Sequence, residues 1–154
     1  MTLPRLLAGI AAVAGCVLLA APAYAATGQV DGNITVGDSS CSWTNATTSD
    51  APPAALTIDH TTVHPTCSGS ITASLTNDPS LTFADTAGTV SAPEVDVNGT
   101  VLGITCSYKV TNVTYTRQGT GRSYTGGPFT ATLSSGGVLC PATETVSAAS
   151  LTFH

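Results

Sequence analysis

The side chains in this sequence best equipped for chemistry gather between Tyr108 and Tyr124. Lys109, Arg117 and Arg122 are three of the chain's four cations, and Tyr108, Tyr115 and Tyr124 are three of its four tyrosines. Guanidinium forks pair with carboxylates and phosphates, and tyrosine rings offer broad amphipathic faces to sugars or to a protein surface. Arg117-Gln118-Gly119-Thr120-Gly121-Arg122 reads as a flexible loop between two strands, the usual place for recognition. Tyr115, Arg117, Arg122 and Tyr124 are therefore the expected ligand-binding residues. Tyr108 falls on the core phase of its strand and stands apart. A cell-wall polysaccharide, or another envelope or secreted protein, is the partner this patch suits.

Other constellations promise less. His60 and His64 would share one side of a strand, with Asp59 turned away, and a metal would need a third ligand from His154 or a distant carboxylate. Glu94 and Asp96 are paired as glycosidase carboxylates are, but on a solvated strand face where they supply solubility. Asp31-Gly32-Asn33-Ile34-Thr35 begins like an EF-hand calcium loop. It then has Val36 where the turn glycine belongs and Ser42 where the bidentate Glu belongs. The chain contains no G-x-S-x-G elbow, no H-E-x-x-H and no Gly-rich phosphate loop followed by Lys. No catalytic residue, no metal and no cofactor is expected.

Cys41, Cys67, Cys106 and Cys140 form an even set without a C-x-x-C pair, so two disulfides are expected in place of a zinc site. Pairing Cys41 with Cys67 and Cys106 with Cys140 ties neighbouring strands in each half of the chain. Closing loops of that length stabilises a fold by about 3 to 4 kcal/mol each in the chain-entropy model.

The oxidising compartment is indicated by the first 25 residues. Arg5 precedes an apolar run from Leu6 to Ala20, too short to span a bilayer comfortably, and Ala21-Pro22-Ala23-Tyr24-Ala25 ends in an A-x-A cut site. The reading is a signal peptide over 1–25 and a single domain over 26–154, secreted or held at the cell wall. Val13-Ala14-Gly15-Cys16 offers an alternative, a lipobox that would anchor the protein through Cys16. The apolar Val17-Leu18-Leu19-Ala20 that follows favours plain secretion. Past the leader, nine acids face Lys109, Arg117 and Arg122, a net charge of −6, which argues against nucleic acid or an anionic bilayer as partner. No later apolar run is long enough to cross a membrane.

The elements that must position these groups are strands. Thr is by far the most frequent polar residue, Val and Ser are common, and Lys, Glu, Gln and Arg are scarce, so an all-β domain is expected. Ile71, Ala73 and Leu75 alternate with hydroxyls, and Leu81 with Phe83, Phe129 with Ala131 and Leu133, and Ala149 with Leu151 and Phe153 repeat the pattern. Asn98-Gly99 predicts a type I′ hairpin turn pairing Val97 with Thr100 and Val95 with Leu102. The returning strand keeps that phase through Ile104, Cys106, Tyr108 and Val110. Asn45 to Ala55, with Pro52-Pro53, reads as a surface loop, Trp43 as core filling, and the last strand as completing a sheet edge. An antiparallel Greek-key β-sandwich of immunoglobulin-like kind is the expected architecture, with a small β-barrel as the alternative.

In general character, through its leader, two disulfides and Ala/Thr/Gly-rich β-pattern, the chain resembles small exported domains of high-GC bacteria, including the neocarzinostatin-like chromoprotein carriers. The cysteine gaps of 25 residues or more differ from those carriers' short disulfide loops, so the resemblance brings no ligand and no site residue. The expected function is a small secreted, non-catalytic structural or binding module. The alternative is a small exported enzyme or protease-inhibitor-like protein with an unrecognised active loop, which for an inhibitor would be that at Ala51-Pro52-Pro53 or that at 117–127.

Overall fold

The computed structural model describes residues 27–154; the expected leader, its expected cut site and Cys16 lie outside them. The threonine- and valine-rich segments become eleven strands. These are β1 (Gly28–Val36), β2 (Ser39–Thr48), β3 (Leu56–Thr57), β4 (Thr66–Cys67), β5 (Ile71–Leu75), β6 (Ser80–Ala84), β7 (Thr89–Val101), β8 (Ile104–Arg117), β9 (Ser123–Gly126), β10 (Phe129–Ser135) and β11 (Thr143–Phe153). All belong to one large antiparallel sheet, and the only helical element among the described residues is a 3-10 turn at His60–Thr62.

The strand path runs β3-β6-β7-β8-β10-β11-β1-β2-β4, with β5 also on β7 and β9 between β8 and β11. It curls until distant members meet. Thr48, at the end of β2, bridges Ile58 just beyond β3, and the Ser49 amide donates to the Thr57 carbonyl at 3.0 Å. One end of the curl is filled. Val30, Ala46, Leu81, Val90, Ala92, Val113 and Leu151 pack there, and Phe83, Tyr124 and Phe153 meet edge to face with ring centroids 5.5 to 5.9 Å apart. Trp43 packs against this core as expected. It lies so close to Gly32 that a Cβ there would sit 2.0 Å from the indole ring.

A seam of irregularities crosses the sheet between its two ends. On β7 the inward phase passes from Val90 and Ala92 to Val95 and Val97 across Pro93, while on β8 it passes from Val110 to Val113 across Asn112, which has φ 54°. The register on either side is unbroken, Ala92 facing Val113 and Glu94 facing Thr111. Gly127-Pro128 separates β9 from β10 at the same level, and the β1–β11 register shifts beside Val146 and Ala148. Each strand along the seam can thus turn a different set of side chains inward above and below it.

Four expectations are corrected. The β7–β8 hairpin turns not at Asn98-Gly99 but four residues later, at Leu102-Gly103, both with positive φ (51° and 80°) as a type I′ turn requires. Turning at Asn98 would slide β8 by eight residues along β7 and leave its Val113–Arg117 stretch beyond the end of its partner. The longer ladder overrides the better turn dipeptide, and because the slip is even, Val95 and Val97 still share a face with Ile104, Cys106, Tyr108 and Val110, while Thr100 passes to the outward face opposite Thr105. The last strand, β11, is not an edge but lies between β1 and the β9/β10 pair. Asn45 to Thr48 belong to β2, so the loop begins at Ser49 and its Pro52 is buried. His60 lies on the 3-10 turn, not on a strand shared with His64.

Candidate functional site

Below the seam the curl is not filled. The inward side chains of β1, β2, β5, β7, β8, β10 and β11 surround a cleft of about 430 Å³. Most of its walls come from the alternation that sequence reading assigned to a packed core, Val95 and Val97 on β7, Cys106, Tyr108 and Val110 on β8, Ile71 and Ala73 on β5 and Ala131 on β10, and Ile34 on β1 and Val146 on β11 join them. Small residues keep it open. Gly99, opposite Ala73 and Cys106, lines the wall with nothing within 4 Å of where a Cβ would stand.

Aliphatic side chains crowd the mouth. Val101, Leu102 and Ile104 at the hairpin tip, with Leu139 on the β10–β11 connection, line the cleft and are exposed, Leu102 by 84%. Leu102 also holds a backbone conformation that disfavours leucine. A hairpin tip is normally polar, so Val101-Leu102-Gly103-Ile104 carried a readable signal once the turn is placed correctly.

Both disulfides brace this end, with the expected pairing. Cys41–Cys67 joins directly opposed residues of β2 and β4, and Cys106–Cys140 ties β8 to the connection that bears Leu139. Tyr108 donates a hydrogen bond to the Pro141 carbonyl at 3.2 Å, fixing the same connection. The titratable lining groups are Tyr108, Tyr115 and Glu144. Burial pushes the Tyr115 phenol up to about 12, and burial followed by the charge of Glu144 raises that of Tyr108.

The four residues expected to bind ligand meet different surroundings. Tyr115 contributes to the cleft wall and packs on Phe129 at 5.6 Å. Tyr124 is buried in the aromatic cluster at the filled end. Arg117 covers the Tyr124 ring, its Cζ 5.7 Å from the centroid, and pairs with Asp85. Arg122 is exposed, with no ion-pair partner among the described residues. Arg117 and Tyr124 are thus brought together as opposed residues of the β8–β9 ladder, and Tyr115 stands two residues from Arg117 on β8, opposite Gly126.

His60, His154 and the carboxylates beside them take structural contacts. His60 Nδ1 lies 2.6 Å from Asp78, and Asp59, expected to turn away, joins them within ligand-atom reach. Asp59 caps the 3-10 turn through the Thr61 amide, and the His60 amide donates to Asp78, which with the His60 ring holds the Asp78 carboxyl below its usual range. His154 pairs with Asp31, which also accepts from the Asn45 amide at 2.8 Å; that amide first, then His154, lowers the Asp31 carboxyl. Glu94 lies 2.9 Å from Lys109 on the outward face, with Asp96 beside them. No family model, curated protein or solved structure matches this chain.

Proposed function

We propose that this protein is a non-catalytic exported binding module that takes an apolar molecule into the cleft. The observation that carries the reading is a cavity of about 430 Å³ with aliphatic walls and a mouth of exposed aliphatic side chains. Small-molecule sites usually have this size and character. Leaving such a surface in water forgoes roughly 25 cal/mol per Å² of burial, which an apolar ligand would recover. Two disulfides hold the walls in place before the ligand arrives, reducing the ordering cost of binding, and they suit the oxidising surroundings to which the leader-like first 25 residues point. Its place of action is outside the cytoplasm, in the medium or at the cell wall. Two neutral phenols and one carboxylate at the lining supply no nucleophile with an adjacent base, which favours binding over catalysis.

The test is titration with N-phenyl-1-naphthylamine, whose fluorescence rises in apolar surroundings. The native protein should give saturable enhancement. Gly99→Phe projects a ring into the open space at Gly99, so it should weaken binding at least tenfold with an unchanged circular dichroism spectrum. No saturable binding by the native protein, or equal binding by the folded variant, overturns the proposal.

A further inference from the structure

We infer that the cleft prefers apolar ligands bearing a cationic head over those bearing an anionic one, and that Glu144 makes the choice. The inference rests on the cleft being a ligand site. Glu144 occupies the inward phase of β11, two residues from buried Val146 and opposite buried Ala131, where an apolar side chain would be the ordinary choice. It lines the cleft, and among the described residues no cation pairs with it. Lys109 is held by Glu94 and Asp96, and Arg117 by Asp85. Among the described residues, no lysine, arginine or histidine lines the cleft to receive an anionic head. The Glu144 charge also reaches the Tyr108 phenol, which places it against the same wall. A half-buried carboxylate without a partner gains from a cation brought to it, whereas a second anion there would meet both repulsion and lost hydration.

The experiment compares decyltrimethylammonium, decanol and decanoate, each below its micellar concentration and in 150 mM salt, as competitors of N-phenyl-1-naphthylamine. The cation should bind about tenfold more tightly than decanoate, with decanol between. Glu144→Gln should bring cation and anion within about twofold and leave decanol unchanged. Glu94→Gln removes the same charge from the outward face and should keep the native preference, separating Glu144 from the overall negative charge. Equal binding of all three by the native protein, or a preference that survives Glu144→Gln, overturns the inference while leaving the cleft as a site. Failure of all three to compete, decanol included, overturns the cleft reading and the inference with it.

Discussion

Replacing Leu102 with Asn should make the protein more stable. Leu102 is held at φ 51°, in the left-handed region, where a residue with an ordinary Cβ loses roughly 1 to 2 kcal/mol and Asn loses much less. The opposing cost is small. Full burial of a leucine contributes about 1.5 to 3 kcal/mol, and a side chain that is 84% exposed keeps only a sixth of that, some 0.3 to 0.5 kcal/mol. The balance is a gain of roughly 0.5 to 1 kcal/mol, or about 2 to 5 °C in the unfolding midpoint of a domain this size. Scanning calorimetry at neutral pH reads it directly. Leu102→Ala serves as the control: it keeps the backbone strain, loses the contact, and should show no gain. The same Leu102→Asn protein should bind N-phenyl-1-naphthylamine about two- to threefold more weakly, because the rim of the cleft has lost its most prominent aliphatic group. An unchanged or lowered midpoint, or a gain matched by Leu102→Ala, refutes the reasoning that strain at this turn is tolerated for the sake of the rim.

Gly32→Ala puts a methyl group into the Trp43 ring and should lower stability by about 1 to 3 kcal/mol, with a shift in tryptophan fluorescence; unaltered melting and emission would count against the packing described. Arg117→Ala uncovers Tyr124 and frees Asp85, so it should lower the midpoint, whereas Arg122→Ala should not; equal midpoints for the two variants would contradict the placement. The Tyr115 phenol is raised by burial, so its contribution is complete below the unfolded tyrosine pKa near 10 and is lost as pH climbs toward about 12. Midpoints measured from pH 9 to 12 should therefore fall less steeply in Tyr115→Phe than in the native protein. Reducing Cys106–Cys140, or replacing both cysteines with Ala, should cost about 3 to 4 kcal/mol and weaken probe binding, since that bond holds the connection carrying Leu139.

The strands and both disulfides were legible because alternation and cysteine parity are local or near-local signals. Ile71 to Leu75 and Phe129 to Leu133 are strands for the reason their sequence suggests, a period of two with hydroxyls on one side. The hairpin turn was not legible, because Asn98-Gly99 is the better turn dipeptide and only the length of the β7–β8 ladder outweighs it. Nor was the site. Val97 and Cys106 have the pattern of core residues, and pattern reports which way a side chain faces, not whether anything meets it there. Glu144 did leave a trace, being an acid on the inward phase of an otherwise apolar strand. Tyr115 and Tyr124 drew notice for their chemistry, but their spacing also fits the buried positions they occupy.

The seam at Pro93 and Asn112 places two kinds of constraint on one ribbon. On its filled side a substitution must respect volume, since Val90, Ala92 and Val113 are almost wholly buried. On the other side what must be conserved is emptiness, and Gly99, Ala73 and Val97 can change size so long as the walls stand and the disulfides hold them. If the cleft is a ligand site as proposed, variation confined to the open half would alter which molecule it accepts while the packed half kept the protein folded. On that reading a descendant of this chain could reshape the cleft through a handful of replacements between Val95 and Ile104, without first having to become more stable.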